Sequence, residues 1–184
     1  MKRFLTLAAM LIVVCMVRAQ SFEPEWVGEV AVLTVDGDTV SNPTEKCNVQ
    51  IKTSASASKI LLGFGNTNQK ISIKGGRSTT QIPLGKPVYL VVKCKDNDSD
   101  PQSFIQVMKL EEKKKERKAE LAKVNWIGNV SENNMSFVPF QAKRYGKTSY
   151  LLKIEPQDGE YGVRVLNPNE RDEKVLMFYC FGIH

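Results

Sequence analysis

The chain has 184 residues, 42% of them hydrophobic, enough for one domain or two small ones with buried cores. Its single histidine, His184, leaves little material for histidine-based triads or metal sites. The formal charge of +6 is halved once Lys2, Arg3 and Arg18 are assigned to a leader, so the basic balance is weak ground for a polyanion partner.

Residues 1–19 read as a secretory signal peptide. Lys2 and Arg3 precede the apolar run Phe4 to Val17, which is too short to span a bilayer comfortably, and Val17-Arg18-Ala19 offers a small residue for cleavage before Gln20. Cys15 lies inside that run, but Val14 stands where a lipoprotein signal wants a small residue. Cleavage after Ala19 is therefore expected, with delivery to the periplasm, the cell surface or the medium. No later segment is long and apolar enough for a transmembrane helix.

Short strands follow, separated by turn signals. Glu25 to Val35 reads as a strand that Asp36-Gly37-Asp38 folds back. Cys47, Val49 and Ile51 alternate with polar residues, which predicts a half-buried strand with Cys47 turned inward. Lys59 to Phe64 is a further short strand, Ile71 and Ile73 flank Ser72, and Val88 to Lys95 places Val88, Leu90, Val92 and Cys94 on one face. Phe104 to Leu110 is expected as the hairpin partner of that strand, across the polar loop Asp96 to Pro101. The alternating acids of this loop suggest a calcium loop, but the later glycine and glutamate of that motif are missing, so a polar loop is the expectation.

Glu111 to Ala122 is rich in helix formers, yet helical spacing brings like charges together, Glu112 with Glu116 and Lys114 with Lys118. A solvated connector over 111–123 is expected. It would divide a first β-sandwich module, 20–110, from a smaller β module, 124–184. An internal echo, Trp26-Val27-Gly28 against Trp126-Ile127-Gly128, agrees with two parts.

In the second part, Phe137 to Tyr150 reads as two strands joined at Tyr145-Gly146, with Lys143 and Arg144 outward. Tyr150, Leu152 and Ile154 mark a strand that Pro156 and Asp158-Gly159 end, and Tyr161 opens the next. Val175 to Ile183 is apolar on both faces, as a strand central in a sheet or at an interface would be, and packs Cys180 away from solvent. A proline and a glycine before a strand-opening tyrosine resemble the tyrosine corner of immunoglobulin-like sandwiches, in which the phenol bonds back to the corner's backbone. The expected fold is therefore all-β, one or two immunoglobulin-like antiparallel sandwich modules after a signal peptide. In general cast the chain resembles uncharacterised secreted β-sandwich proteins of Gram-negative bacteria.

Cys47 and Cys94 both point inward. Either they form a disulfide across the first module, as export would permit, or they are two separately packed thiols. No paired-cysteine zinc spacing or phosphate-binding glycine loop occurs, so no cofactor is expected and catalysis is not. The functional expectation is a non-catalytic binding or structural module with a protein or glycan partner. The alternative is recognition of an anionic polymer or glycan through Lys113, Lys114, Lys115, Arg117 and Lys118, joined by Lys143, Arg144 and Tyr145. Nucleic acid is not an expected partner. The nearest case of aromatics interleaved with basic residues is Phe137 to Tyr150, where Lys143, Arg144 and Lys147 lie beside Phe140 and Tyr145, and it reads as two strands with basic tips outward and aromatics in the core.

Overall fold

The computed structural model describes residues 22–36, 38–54, 67–124, 130–131, 137–155, 157–166 and 175–184. The leader, the expected strand at 59–64, the Trp126 echo and Pro156 lie outside these residues.

Thirteen strands are described: β1 (Val30–Asp36), β2 (Asp38–Pro43), β3 (Glu45–Ser54), β4 (Thr67–Lys74), β5 (Gln81–Ile82), β6 (Val88–Lys93), β7 (Ile105–Glu112), β8 (Glu116–Val124), β9 (Val130–Ser131), β10 (Gln141–Tyr145), β11 (Ser149–Ile154), β12 (Gly159–Val165) and β13 (Val175–Ile183). The first sheet runs β10-β11-β6-β1-β2 and is antiparallel throughout. The second runs β12-β7-β8-β4-β3-β13-β5, with β9 against β8. Because β12 also pairs with β13, the second sheet closes into a ring, β12–β7–β8–β4–β3–β13–β12. The ring is narrowest in its bonding at β7–β8, which meet through two residue pairs, Glu111 with Lys118 and Glu112 with Arg117.

Two cores follow from alternation along these strands. Val30 and Val32, Leu90 and Val92, and Leu152 and Ile154 of the first sheet face Ile105 and Val107, Tyr161 and Val163, and Phe181 and Ile183 of the second. The residues between them in sequence, Met108 and Leu110 on β7 and Phe178 and Cys180 on β13, fill the ring with Val49, Ile71, Ile73 and Ala119. From Phe178 to Ile183 β13 is thus buried on both faces, as its apolar run predicts. Gly162 keeps space for this second core: a Cβ there would lie 3.0 Å from Phe178 Cδ1.

The corner between β11 and β12 carries the chain from one sheet to the other. Tyr161 donates its hydroxyl to the Gln157 carbonyl at 2.7 Å, and its ring stacks on Phe181 at 5.3 Å between centroids. The bond expected of a tyrosine corner is therefore made. β1 and β2 pair across Asp36 and Asp38, and β10 and β11 across a turn in which Gly146 takes φ +57°, both as the turn signals predict.

The strand expected from Glu25 begins only at Val30, and three further expectations differ from the structure. β6 and β7 are not a hairpin: β6 lies between β1 and β11, and β7 between β12 and β8, so the loop at 96–101 crosses between sheets. Within it, Asp100 caps a short 3-10 helix, Pro101–Ser103, accepting from Gln102 N at 3.0 Å, and Asp96 accepts from Asp98 N at 3.3 Å. Residues 111–123 are not a connector either: they form the end of β7, a turn at 113–115 and most of β8. Glu116, Lys118 and Glu120 point outward while Arg117 and Ala119 point in, so the period is that of a strand. Finally, strands from 20–110 and 124–184 interleave in both sheets, which removes the boundary between two modules.

Candidate functional site

The strand period of β8 sends Arg117 into one end of the ring, where its side chain has no exposed surface. Every face of the guanidinium is used. Nη1 donates to Glu45 Oε2 at 3.1 Å and Nη2 to Glu45 Oε1 at 2.9 Å, a two-pronged pairing. Nη1 also donates to Ser78 Oγ at 2.6 Å and lies 3.5 Å from Glu160 Oε2, while Nε and Nη2 donate to the Gly75 and Lys74 carbonyls, both at 3.1 Å. Glu160, equally buried, accepts from Ser78 N at 2.8 Å, from the Ser78 hydroxyl and from Gln81 Nε2 at 3.1 Å. His184 sits outside this cluster, its ring nitrogens 3.0 Å from Asp158 and 3.4 Å from Glu160. Burial alone would raise the Glu45 carboxyl. The Arg117 hydrogen bonds and charge, with the Thr79 amide, outweigh it and hold the group below the ordinary carboxylate range.

The residues expected to bind an anionic polymer are not brought together. Lys113, Lys114 and Lys115 form the exposed β7–β8 turn, with Lys113 paired to Glu111. Lys118 pairs with Glu116 at 2.6 Å, and Arg117 is sealed inside. Lys143 and Arg144 stand on β10, an edge strand, and Arg144 is 3.4 Å from Asp98 in the loop before β7. The two basic groups thus lie at opposite ends of β7, whose eight residues span roughly 25 Å. Tyr145 is half-buried and packs against Leu33, Val91 and Leu151 on the outer face of the first sheet. The basic residues therefore make two separate, partly neutralised groups rather than one surface.

The cysteines are also apart. Cys94 lies in the core between the sheets, whereas Cys47 packs against the core of the ring, and both are free thiols, as is Cys180. A Cys47–Cys94 bridge is not formed, because alternation sends the two thiols into different cores. Cys47 neighbours Cys180 instead, since β3 and β13 pair Cys47 with Phe178 and Glu45 with Cys180.

A concave surface appears where β7 and β8 diverge. There residues 137–138 take the place of β8 beside β7: Phe137 bridges Met108, and Val138 N donates to the Val107 carbonyl at 2.8 Å. The result is an open groove of about 330 Å³ between this segment and the start of β7. It is lined by the buried Ile105 and Val107, by Phe137, Val138, Pro139 and Phe140, and by Gln102 and Gln106. No lining side chain is charged. Phe137 and Phe140 belong to the segment Phe137 to Tyr150 read from the sequence as two strands, but Gln102 and Gln106 carry no local signal, because the crossing at 96–101 alone brings them to that segment.

Among the described residues no helix is long and apolar enough to cross a membrane, and no group of histidine, cysteine and acidic side chains could hold a metal ion. Comparison with protein-family models, curated proteins and solved structures finds no match to this chain.

Proposed function

We propose that the chain is an exported, non-catalytic recognition module, an immunoglobulin-like sandwich released from its leader after Ala19 into the periplasm or at the cell surface. The observation that carries this reading is the division of labour between the two features above. Among the described residues, the ionisable cluster of Arg117 with Glu45 and Glu160 is turned inward and spent on closing the end of the ring. The groove beside Phe137 and Phe140 is open and uncharged, suited to contact rather than to proton transfer or nucleophilic attack. The corner made by Tyr161 supports the immunoglobulin-like assignment.

Expression of the full chain in a Gram-negative host, with N-terminal sequencing of the mature product, tests the export reading: Gln20 is the expected first residue. Incubating that product with a panel of glycans and peptides tests the rest. No cleavage is expected, and turnover of any member would overturn the non-catalytic assignment.

A further inference from the structure

Resting on the reading of a non-catalytic recognition module, we propose that the groove between β7 and residues 137–140 binds a neutral saccharide chain. Two observations converge on that chemistry. Phe137 leaves 44% of its surface exposed at the groove, while Phe178 and Phe181 in the cores expose none. A ring held at a concave surface offers an apolar plane on which the C–H face of a sugar can rest. In the same lining, the amides of Gln102 and Gln106 make no side-chain hydrogen bond with any described residue. Each amide offers two donors and an acceptor, a match for hydroxyls that both give and receive hydrogen bonds.

Charge and main-chain geometry narrow the choice further. With no ionic side chain in the lining, an anionic or cationic ligand would lose hydration there without a counter-charge in return. A peptide added as an extra strand needs a free edge. At the groove the edge of β7 is already taken by Phe137 and by the Val138 amide. The volume stands near the small end of ligand sites, about 300–1,000 Å³, and the groove is open rather than enclosed, as a site for a few units of a longer chain would be.

The test is affinity electrophoresis of the mature protein through gels containing soluble starch, xylan, mannan or mixed-linkage β-glucan, with polygalacturonate and heparin as charged controls and a peptide array alongside. Retardation by at least one neutral polymer is expected, unchanged on raising the salt. Phe137→Ala should weaken it about tenfold or more, and Gln102→Ala should also weaken it. Both positions are exposed, and a melting curve for each variant checks that the fold is kept; if one does not fold, the other decides. No retardation by any neutral polymer, retardation by the charged polymers alone, capture on the peptide array that Phe137→Ala abolishes, or retardation that both variants retain would each overturn the assignment. Cleavage of a polymer would instead overturn the non-catalytic reading, so the two failures are distinguishable.

Discussion

Arg117 and Glu160 meet at 3.5 Å inside the ring, and neither side chain has any solvent-exposed surface. They come from strands on either side of β7, so their contact reaches across the end of the ring where β7 and β8 share two residue pairs. Two charges removed from water cost several kcal/mol each in effective desolvation. That cost is met here by saturation: Glu45, Ser78, Gln81 and two backbone carbonyls satisfy the remaining donors and acceptors. The pair fixes how the end of the ring closes more than it adds net stability.

Breaking the pair from one side should therefore be severe. Arg117→Met leaves Glu160 buried without its cation, an expected loss of about 3–5 kcal/mol. Urea unfolding of the Arg117→Met, Glu160→Gln double variant should recover a substantial part of that loss. If the single variant unfolds at the wild-type midpoint, the cluster is not what closes the ring.

Arg117 also shows what could be read from the sequence and what could not. Between Glu111 and Ala122 the composition suggests a solvated run, and helical spacing brings like charges together. The same residues at a period of two put Arg117 and Ala119 on one face and Glu116, Lys118 and Glu120 on the other, and that is the arrangement formed. The signal was present but outweighed by charge density. Glu160 was similarly legible, since it and Gly162 alternate with Tyr161 and Val163 and so share the second buried face of β12. The crossing from β6 to β7 was not, because an apolar strand, a polar loop and an apolar strand describe a hairpin and a sheet-to-sheet passage equally well. The groove depends on that passage, so Gln102 and Gln106 could not be placed beside Phe137 in advance. The Tyr161 corner was readable because its partner, Gln157, is four residues away.

Tyr161→Phe removes one hydroxyl and leaves the stacking on Phe181 in place. The lost hydrogen bond to the Gln157 carbonyl should lower stability by about 1 kcal/mol. Chemical denaturation should show this as a lower midpoint with an unchanged slope. A midpoint equal to that of the wild type would mean that the corner holds without its phenol.

Acid should destabilise the fold through Glu23 and Glu45. Burial would raise the Glu23 carboxyl, but hydrogen bonds from Lys93 and the Thr148 amide, with the Lys93 charge, hold it below its ordinary range. Glu45 is lowered by Arg117. Since the unfolded chain takes up these protons more readily, both contributions are complete above the unfolded-state value of about 4.3 and disappear as pH falls through the lower folded-state values. Glu23→Gln should be less stable than wild type at pH 7, with the gap narrowing towards pH 3. A gap that widens on acidification would reverse the sign of this argument.

Gly182 faces the ionic cluster from β13. A Cβ there would fall on Glu160 Oε1 and 2.5 Å from Gln81 Oε1. Gly182→Ala should cost about 1–3 kcal/mol through overpacking, and Gly162→Ala a comparable amount against Phe178. Partial relief of the Gly182→Ala defect by Gln81→Ala, which leaves the Glu160 contact in place, and none of the Gly162→Ala defect, would place each clash where the geometry puts it. Equal relief of both would not.

The thiols should separate by reactivity in the folded protein. Burial, with the charge of Asp96 adding to it, pushes Cys94 up to about 11. Cys180 is fully buried, and its hydrogen bond with Cys47 and its burial hold it in the protonated form. Cys47 is half-buried, and the same hydrogen bond lowers its pKa despite opposition from burial and from Glu45. Because the thiolate is the reactive form, iodoacetamide at neutral pH should modify Cys47 first. Cys94 and Cys180 should react at comparable rates only after denaturation. Peptide mapping of the alkylated protein over time reads this directly. Labelling of native Cys94 as fast as Cys47 would mean that the core between the sheets opens on the timescale of the reaction, against the packing of Cys94 with Val92 and Tyr150 in that core.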